Sequence, residues 1–345
     1  MSGFIDLRFG NKNKRYIQGI LFSNYPLLFF LMNTNKDNLQ NLINSSHKTK
    51  KVKNKILIKT SIKEMLLNSE NNNNNNNIFS NDNLQIITKG ISYWKELNIN
   101  SISYSKKLKE KLSQIKFLEI PNEEKLKEKV ISIIKNLNKN MKIEGTSTFS
   151  LLYIDKLNMR MLCISIGDSL YSIMRFDNES HKYRMEFISK EKYHSFNTPY
   201  QIGKYGDSPE NLISLKHEIL ENDIIILGND CFWDNISIEN ILDIINNEIN
   251  FNIDFHSIIC EKLIEEAKKN SEDEFFISPF SIKAKENGFY YLGGKPGDIL
   301  LNVSIIKYNN INNIKNKFVS ESEFDQFSIA SKFTSNTSIM NDIFN

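Results

Sequence analysis

The sequence predicts an α+β fold, and three observations carry that prediction. Two amphipathic stretches lie between residues 103 and 141, short alternating and apolar runs with turn signals follow from Gly145, and helical spacing returns between residues 236 and 270 ahead of a last apolar run. Helices segregated from antiparallel strands indicate an α+β arrangement and not the alternating units of a doubly wound sheet.

Taken in order, residues 1–60 hold eleven Lys or Arg against only Asp6 and Asp37, so this segment is about nine charges positive and the rest of the chain about six negative. A basic, acid-poor N-terminus has the composition of an organelle transit peptide, which makes mitochondrion or cytoplasm the expected location. The apolar run 20–32 is interrupted by Asn24 and Pro26 and is too short to span a bilayer. The expectation is an irregular N-terminal lobe with a half-buried strand or helix, the alternative being a targeting segment. The unbroken Asn run 71–77 competes with its own backbone for hydrogen bonds and reads as a disordered loop insertion. Residues 84–88 follow as a short strand, and Lys89-Gly90-Ile91-Ser92-Tyr93-Trp94 as a turn.

Leu108, Leu112, Ile115 and Leu118 then share one helical face. After a break at Pro121, Leu126, Val130, Ile133, Ile134 and Leu137 share another, so two helices are predicted. Runs at 149–154, 161–166, 170–176 and 184–188, with turns at 156–158, 167–169 and 177–178, read as an antiparallel meander. Strands at 212–217 and 223–227, helices at 236–250 and 255–270, and a strand at 299–306 complete the pattern. The resulting division is a basic N-terminal extension with an Asn-rich insertion (1–83), one folded domain (84–307) and a polar tail (308–345).

With 44 Lys and Arg against 41 Asp and Glu, the net charge of +3 offers no broad field for nucleic acid, and none is expected as a partner. Cys163, Cys231 and Cys260 are too few and too scattered for a disulfide framework or zinc ribbon, which points to a reducing compartment. Asn supplies 48 residues, so Asn carries little information at any one position, while Gly, Pro, Trp and clustered Asp carry more.

Three segments place Asp at or just beyond a strand end: Gly167-Asp168-Ser169, Gly228-Asn229-Asp230-Cys231-Phe232-Trp233-Asp234-Asn235 and Gly293-Gly294-Lys295-Pro296-Gly297-Asp298. Singly, each is accounted for by local turn hydrogen bonds. Together with Gly145-Thr146-Ser147-Thr148, with His194-Ser195-Phe196-Asn197-Thr198-Pro199-Tyr200-Gln201, and with Ser278-Pro279-Phe280 and Ala284, they resemble the type 2C metal-dependent protein serine/threonine phosphatases. The His-x-Phe-Asn-Thr-Pro string and the Gly-Gly-Lys-Pro turn are most similar to the branch typified by a mitochondrial matrix enzyme. The resemblance implies a four-layer sandwich of two mainly antiparallel sheets flanked by helices. It also implies hydrolysis of phosphoserine and phosphothreonine by two Mg²⁺ or Mn²⁺ ions sharing an acidified water.

Carried over residue by residue, that metal site is degenerate. Lys89, followed by Gly90, stands where the family has its bridging Asp, and Gly297 stands at a second ligand position. Asp298 is a poor substitute, because successive strand residues face opposite sides. Asp230, Asp168 and Asp234 remain as candidate metal ligands, for fewer than two Mg²⁺ or Mn²⁺ ions or none, and Lys89 is the expected counter-cation for them. The expected function is a weak or inactive, monomeric pseudophosphatase that binds a phosphoprotein or other protein partner. The alternatives are an active phosphatase with a rearranged site at Asp168, Asp230 and Asp234, helped by Asp298 or Asp207, and a nucleophilic Cys231 paired with His194 or His217. Trp94 and Trp233 are expected to pack beside the site, and His194 and Asn197 to hold a turn that Pro199 fixes.

Overall fold

A computed structural model describes residues 55–65, 77–91, 99, 101–116, 122–140, 144–249 and 254–309. The strands, in chain order, are β1 (Lys55–Met65), β2 (Ile78–Ser80), β3 (Leu84–Gly90), β4 (Thr146–Asp155), β5 (Arg160–Ile166), β6 (Leu170–Asp177), β7 (Lys182–Ile188), β8 (Tyr193–Ser195), β9 (Thr198–Pro199), β10 (Ile202–Gly203), β11 (Ile213–Glu218), β12 (Ile224–Gly228) and β13 (Ile299–Asn309). The helices are α1 (Ser101–Ser113), α2 (Glu123–Asn140), α3 (Asp230–Trp233), α4 (Ile238–Asn247), α5 (Phe255–Glu272) and α6 (Pro279–Glu286).

One sheet runs β1-β13-β12-β6-β7 and the other β11-β5-β4-β3-β2, with β10 added on β4. Every strand pair is antiparallel. Side chains alternate along each strand, and that alternation makes the layers. Ile224 and Ile226 join Ile299, Leu301, Val303 and Ile305 against α4 and α5, while Ile225, Leu227, Leu300 and Ile306 face the other sheet and meet Ile87, Leu152 and Ile154. On the far side Leu108, Leu112, Leu126, Val130 and Ile134 cover Leu84, Ile86, Phe149 and Leu151. The result is the four-layer α+β sandwich expected. A polar seam crosses the inter-sheet layer, where Gln85 Nε2 donates to Ser304 Oγ at 2.7 Å and Thr60 Oγ1 donates to Asn302 Oδ1 at 2.8 Å.

Several expectations need correction. The sheets begin before residue 84: β1 pairs along its whole length with β13, from Lys55 opposite Asn309 to Met65 opposite Ile299, and β13 runs two residues past 307. The Lys-rich composition of this stretch hides a strand whose partner lies more than 200 residues away. The expected turn at Lys89-Gly90 is instead the end of β3, because Lys89 pairs opposite Thr148 and Gly90 opposite Ser147. Helix α6 is an addition that the sequence marks locally: Ser278 caps it by accepting from Ser281 N at 3.0 Å, and Pro279 takes the first helical position. The expectations for residues 1–54, the Asn run up to residue 76, Trp94, Leu118 and the tail beyond 309 lie outside the described residues.

Candidate functional site

The sequence-predicted site residues are delivered by separate elements to one end of the sandwich. Lys89 ends β3. Asp168 occupies the tight turn between β5 and β6, which Gly167 permits by adopting φ +88°. Asp230 opens α3 directly after β12, and Asp234 follows the last residue of that helix.

Asparagine side chains lock these pieces together, an assignment the Asn-rich background concealed. Asn229 donates through Nδ2 to the Asp298 carbonyl at 2.8 Å and accepts from Leu300 N at 3.0 Å, which fixes the end of β12 to the start of β13. Asn235 accepts from Lys295 N at 2.7 Å and donates to the Lys295 carbonyl at 2.9 Å, which presses the Gly293-Gly294-Lys295-Pro296 turn onto α3. Gly294 lets the same turn pass close to the end of α5, since a Cβ there would lie 1.9 Å from the Asn270 carbonyl oxygen.

The consequence is a chain of alternating charges. Lys89 Nζ donates to Asp230 Oδ1. Lys295 Nζ reaches Asp230 Oδ2 at 3.2 Å and Asp234 Oδ2 at 2.7 Å, and Lys283 Nζ, from α6, reaches Asp234 Oδ1 at 3.0 Å and Glu191 Oε1 at 2.6 Å. All four carboxylate oxygens of Asp230 and Asp234 therefore accept from an ammonium group. Burial disfavours the charged form of Asp230, but Lys89 and Lys295 outweigh it and hold that carboxyl well below the usual range. Burial likewise opposes the Lys89 charge, and Asp230 above all reverses this, so the ammonium stays protonated.

Asp168 is left over. It is 5% exposed, its Oδ1 has no hydrogen-bond partner, and burial together with the adjacent Asp230 anion pushes it up to about 7. Lys283 and Glu191 were not among the sequence candidates, because a lysine on a polar helix and a loop glutamate carry no local signal. Lys295 was visible only as part of the glycine turn.

Of the remaining expected residues, His194 Nε2 lies 2.9 Å from Asp207 Oδ1 and stacks on Tyr200, and Asp207 also accepts from Gln201 N at 2.8 Å. Asn197, in the left-handed region at φ +56°, accepts from Lys295 Nζ at 3.2 Å. His217 pairs with the Tyr171 hydroxyl at 2.9 Å. Cys231 therefore has neither imidazole as its base. Its sulfur lies 3.5 Å from Lys89 Nζ, and burial pushes the thiol up to about 11, which overturns the reading of a cysteine nucleophile. Trp233 is buried and donates to the Leu170 and Gly228 carbonyls at 3.1 and 3.2 Å.

A divalent ion pair does not fit this donor set. The oxygens it would need are engaged by lysines, and among the described residues no group of three or more His, Cys, Asp and Glu is placed to hold a metal ion. The expected ligand set of Asp168, Asp230 and Asp234, with or without Asp298, is thus not assembled as a coordination sphere. An ammonium supplies charge but no Lewis-acid coordination. Among the described residues no helix is long and apolar enough to cross a membrane.

Comparison with known proteins places this geometry in context. The chain is 26% identical over 235 residues to the protein phosphatase PTC7 homolog fig of Drosophila melanogaster, covering 65% of this chain and 73% of that one. It is 28% identical over 222 residues to the probable protein phosphatase 2C 55 of Arabidopsis thaliana, covering 64% of this chain and 45% of that one. The X-ray structure of the photosystem II phosphatase PBCP matches the fold with a TM-score of 0.56 at 21% identity, over 73% of this chain and 99% of that one. No protein-family model matches the chain. The chain is thus similar in sequence to protein phosphatases and shares the fold of the phosphatase PBCP, in keeping with its motifs.

Proposed function

We propose that this protein is a pseudophosphatase, a phosphatase fold that binds a phosphoprotein without hydrolysing it. The observation that carries the reading is the unbroken alternation Lys89, Asp230, Lys295, Asp234, Lys283, Glu191, in which lysines take the place of metal as counter-charge. Such a site keeps its shape but has no means of making hydroxide near neutral pH. A cleft of about 330 Å³ beside it supports a retained binding role. Tyr193, Phe196 and Phe280 supply apolar wall, and Ser195, Asn197 and Lys283 supply polar groups. A mitochondrial location is supported by the basic N-terminal segment and by the relationship to PTC7 homologues.

The test pairs calorimetric Mn²⁺ titration with a phosphopeptide hydrolysis assay and a binding assay on the same peptide. Binding without turnover and without Mn²⁺ uptake is expected. Two bound metals with turnover would establish the active alternative instead.

A further inference from the structure

Gly297 is a glycine for a reason that lies in another segment. Its backbone is outside the left-handed region, so the main chain accepts any L-residue there. A Cβ at this position would nevertheless lie 2.3 Å from Cys231 Sγ, closer than real Cβ contacts come, and the only other outside atom within 4 Å would be Cys231 Cβ at 3.7 Å. The space a side chain at 297 would enter is therefore filled by one thiol. The same sulfur is 3.5 Å from Lys89 Nζ, which is bonded to Asp230. Positions 89, 231 and 297 thus contend for one small volume beside the Asp230 carboxylate.

We propose that Lys89, Cys231 and Gly297 form an interlocked plug, in which the ammonium supplies the positive charge and the thiol supplies the bulk that together close this volume to a divalent cation. The inference deepens the pseudophosphatase reading and rests on it for the claim that the site works without metal. It adds that the closure is steric as well as electrostatic, so that carboxylates alone cannot reopen the site. It also assigns Cys231 a packing role, with its sulfur held as a protonated thiol between a glycine and a lysine.

A thermal-unfolding cycle tests the steric half. G297A is expected to lower the melting temperature by several degrees in the wild-type background and to change it little in the C231G background. An equal loss in both backgrounds would overturn the plug. The second half uses Mn²⁺ alone as the probe. The triple variant K89D/C231G/G297D is expected to melt at a higher temperature in millimolar Mn²⁺ than in chelator, whereas the double variant K89D/G297D is not. A shift in the double variant as large as in the triple, or none in a triple variant that melts cooperatively, would overturn it. The two proposals fail separately: phosphopeptide turnover by the wild-type chain removes the pseudophosphatase reading, whereas additivity between positions 231 and 297 removes only the plug.

Discussion

Two buried ionic regions of this protein solve the same electrostatic problem differently. Asp223, fully buried before β12, is gripped by Arg175 of β6 through a two-pronged contact, Nε to Oδ1 and Nη2 to Oδ2, both at 2.9 Å, and it also accepts from Leu220 N at 2.8 Å. One guanidinium meets both oxygens of the buried anion, in the planar geometry that suits a carboxylate, and its remaining nitrogen reaches the surface Glu186 at 2.9 Å. At the other end of the same sheet the anions outnumber the cations: Asp168, Asp230, Asp234 and Glu191 share Lys89, Lys295 and Lys283, each of which is a point charge. The first arrangement is what a purely structural pair needs. The second keeps a cluster of acids that only a multivalent cation or several ammonium groups can hold together, and it leaves one acid over.

The largest expected effect removes the guanidinium that is the ion-pair partner of Asp223. Arg175→Met leaves Asp223 buried with no charge partner and should cost about 3–5 kcal/mol in chemical denaturation. Lys89→Met should cost less, about 2 kcal/mol, because Lys295 still reaches Asp230 at 3.2 Å. Equal losses in the two variants would remove the distinction between an anion held by one guanidinium and one held by two ammonium groups.

The leftover acid sharpens the comparison through pH. Asp168 titrates near 7 in the folded chain against about 4 unfolded, so folding takes up a proton and stability falls as pH rises through that window. Asp168→Asn removes the penalty, and its stability relative to wild type should rise by about 3–4 kcal/mol between pH 4 and pH 8. A difference that stays flat across the window would place a cation or a hydrogen bond on Asp168. The smallest effect is that of metal: chelator and Mn²⁺ should leave the wild-type melting temperature within about 1 °C of each other, since a ligand stabilises only by binding the folded state. A clear rise with Mn²⁺ would make the lysine cluster a displaceable occupant.

Much of this was legible in the chain. The i, i+4 spacing of Leu108 and Leu112, and of Leu126, Val130 and Ile134, marks two helices that the structure contains, because a helix buries one face whatever it packs against. Lys89 and Asp230, 141 residues apart, could be placed together only because their motifs resemble a known arrangement. Lys283 and Glu191 have no such motif, and their pairing depends on how α6 settles over the loop that follows β7. The asparagines that set the site, Asn229 and Asn235, were hidden by the abundance of Asn elsewhere.

The sequence by itself determined the α+β class and most of the helices and strands between residues 101 and 306, whereas the reading of Lys89 and Gly297 as replaced acids rests on the resemblance. The class and the elements follow from local periodicity, which needs no partner to be read. The tertiary structure alone decided that β1 closes one sheet against β13, that three lysines meet Asp230, Asp234 and Glu191, and that the Cys231 thiol occupies the space facing Gly297. Each of these is a relation between segments far apart in the chain, set by sheet register and by which side chains reach one low-dielectric volume.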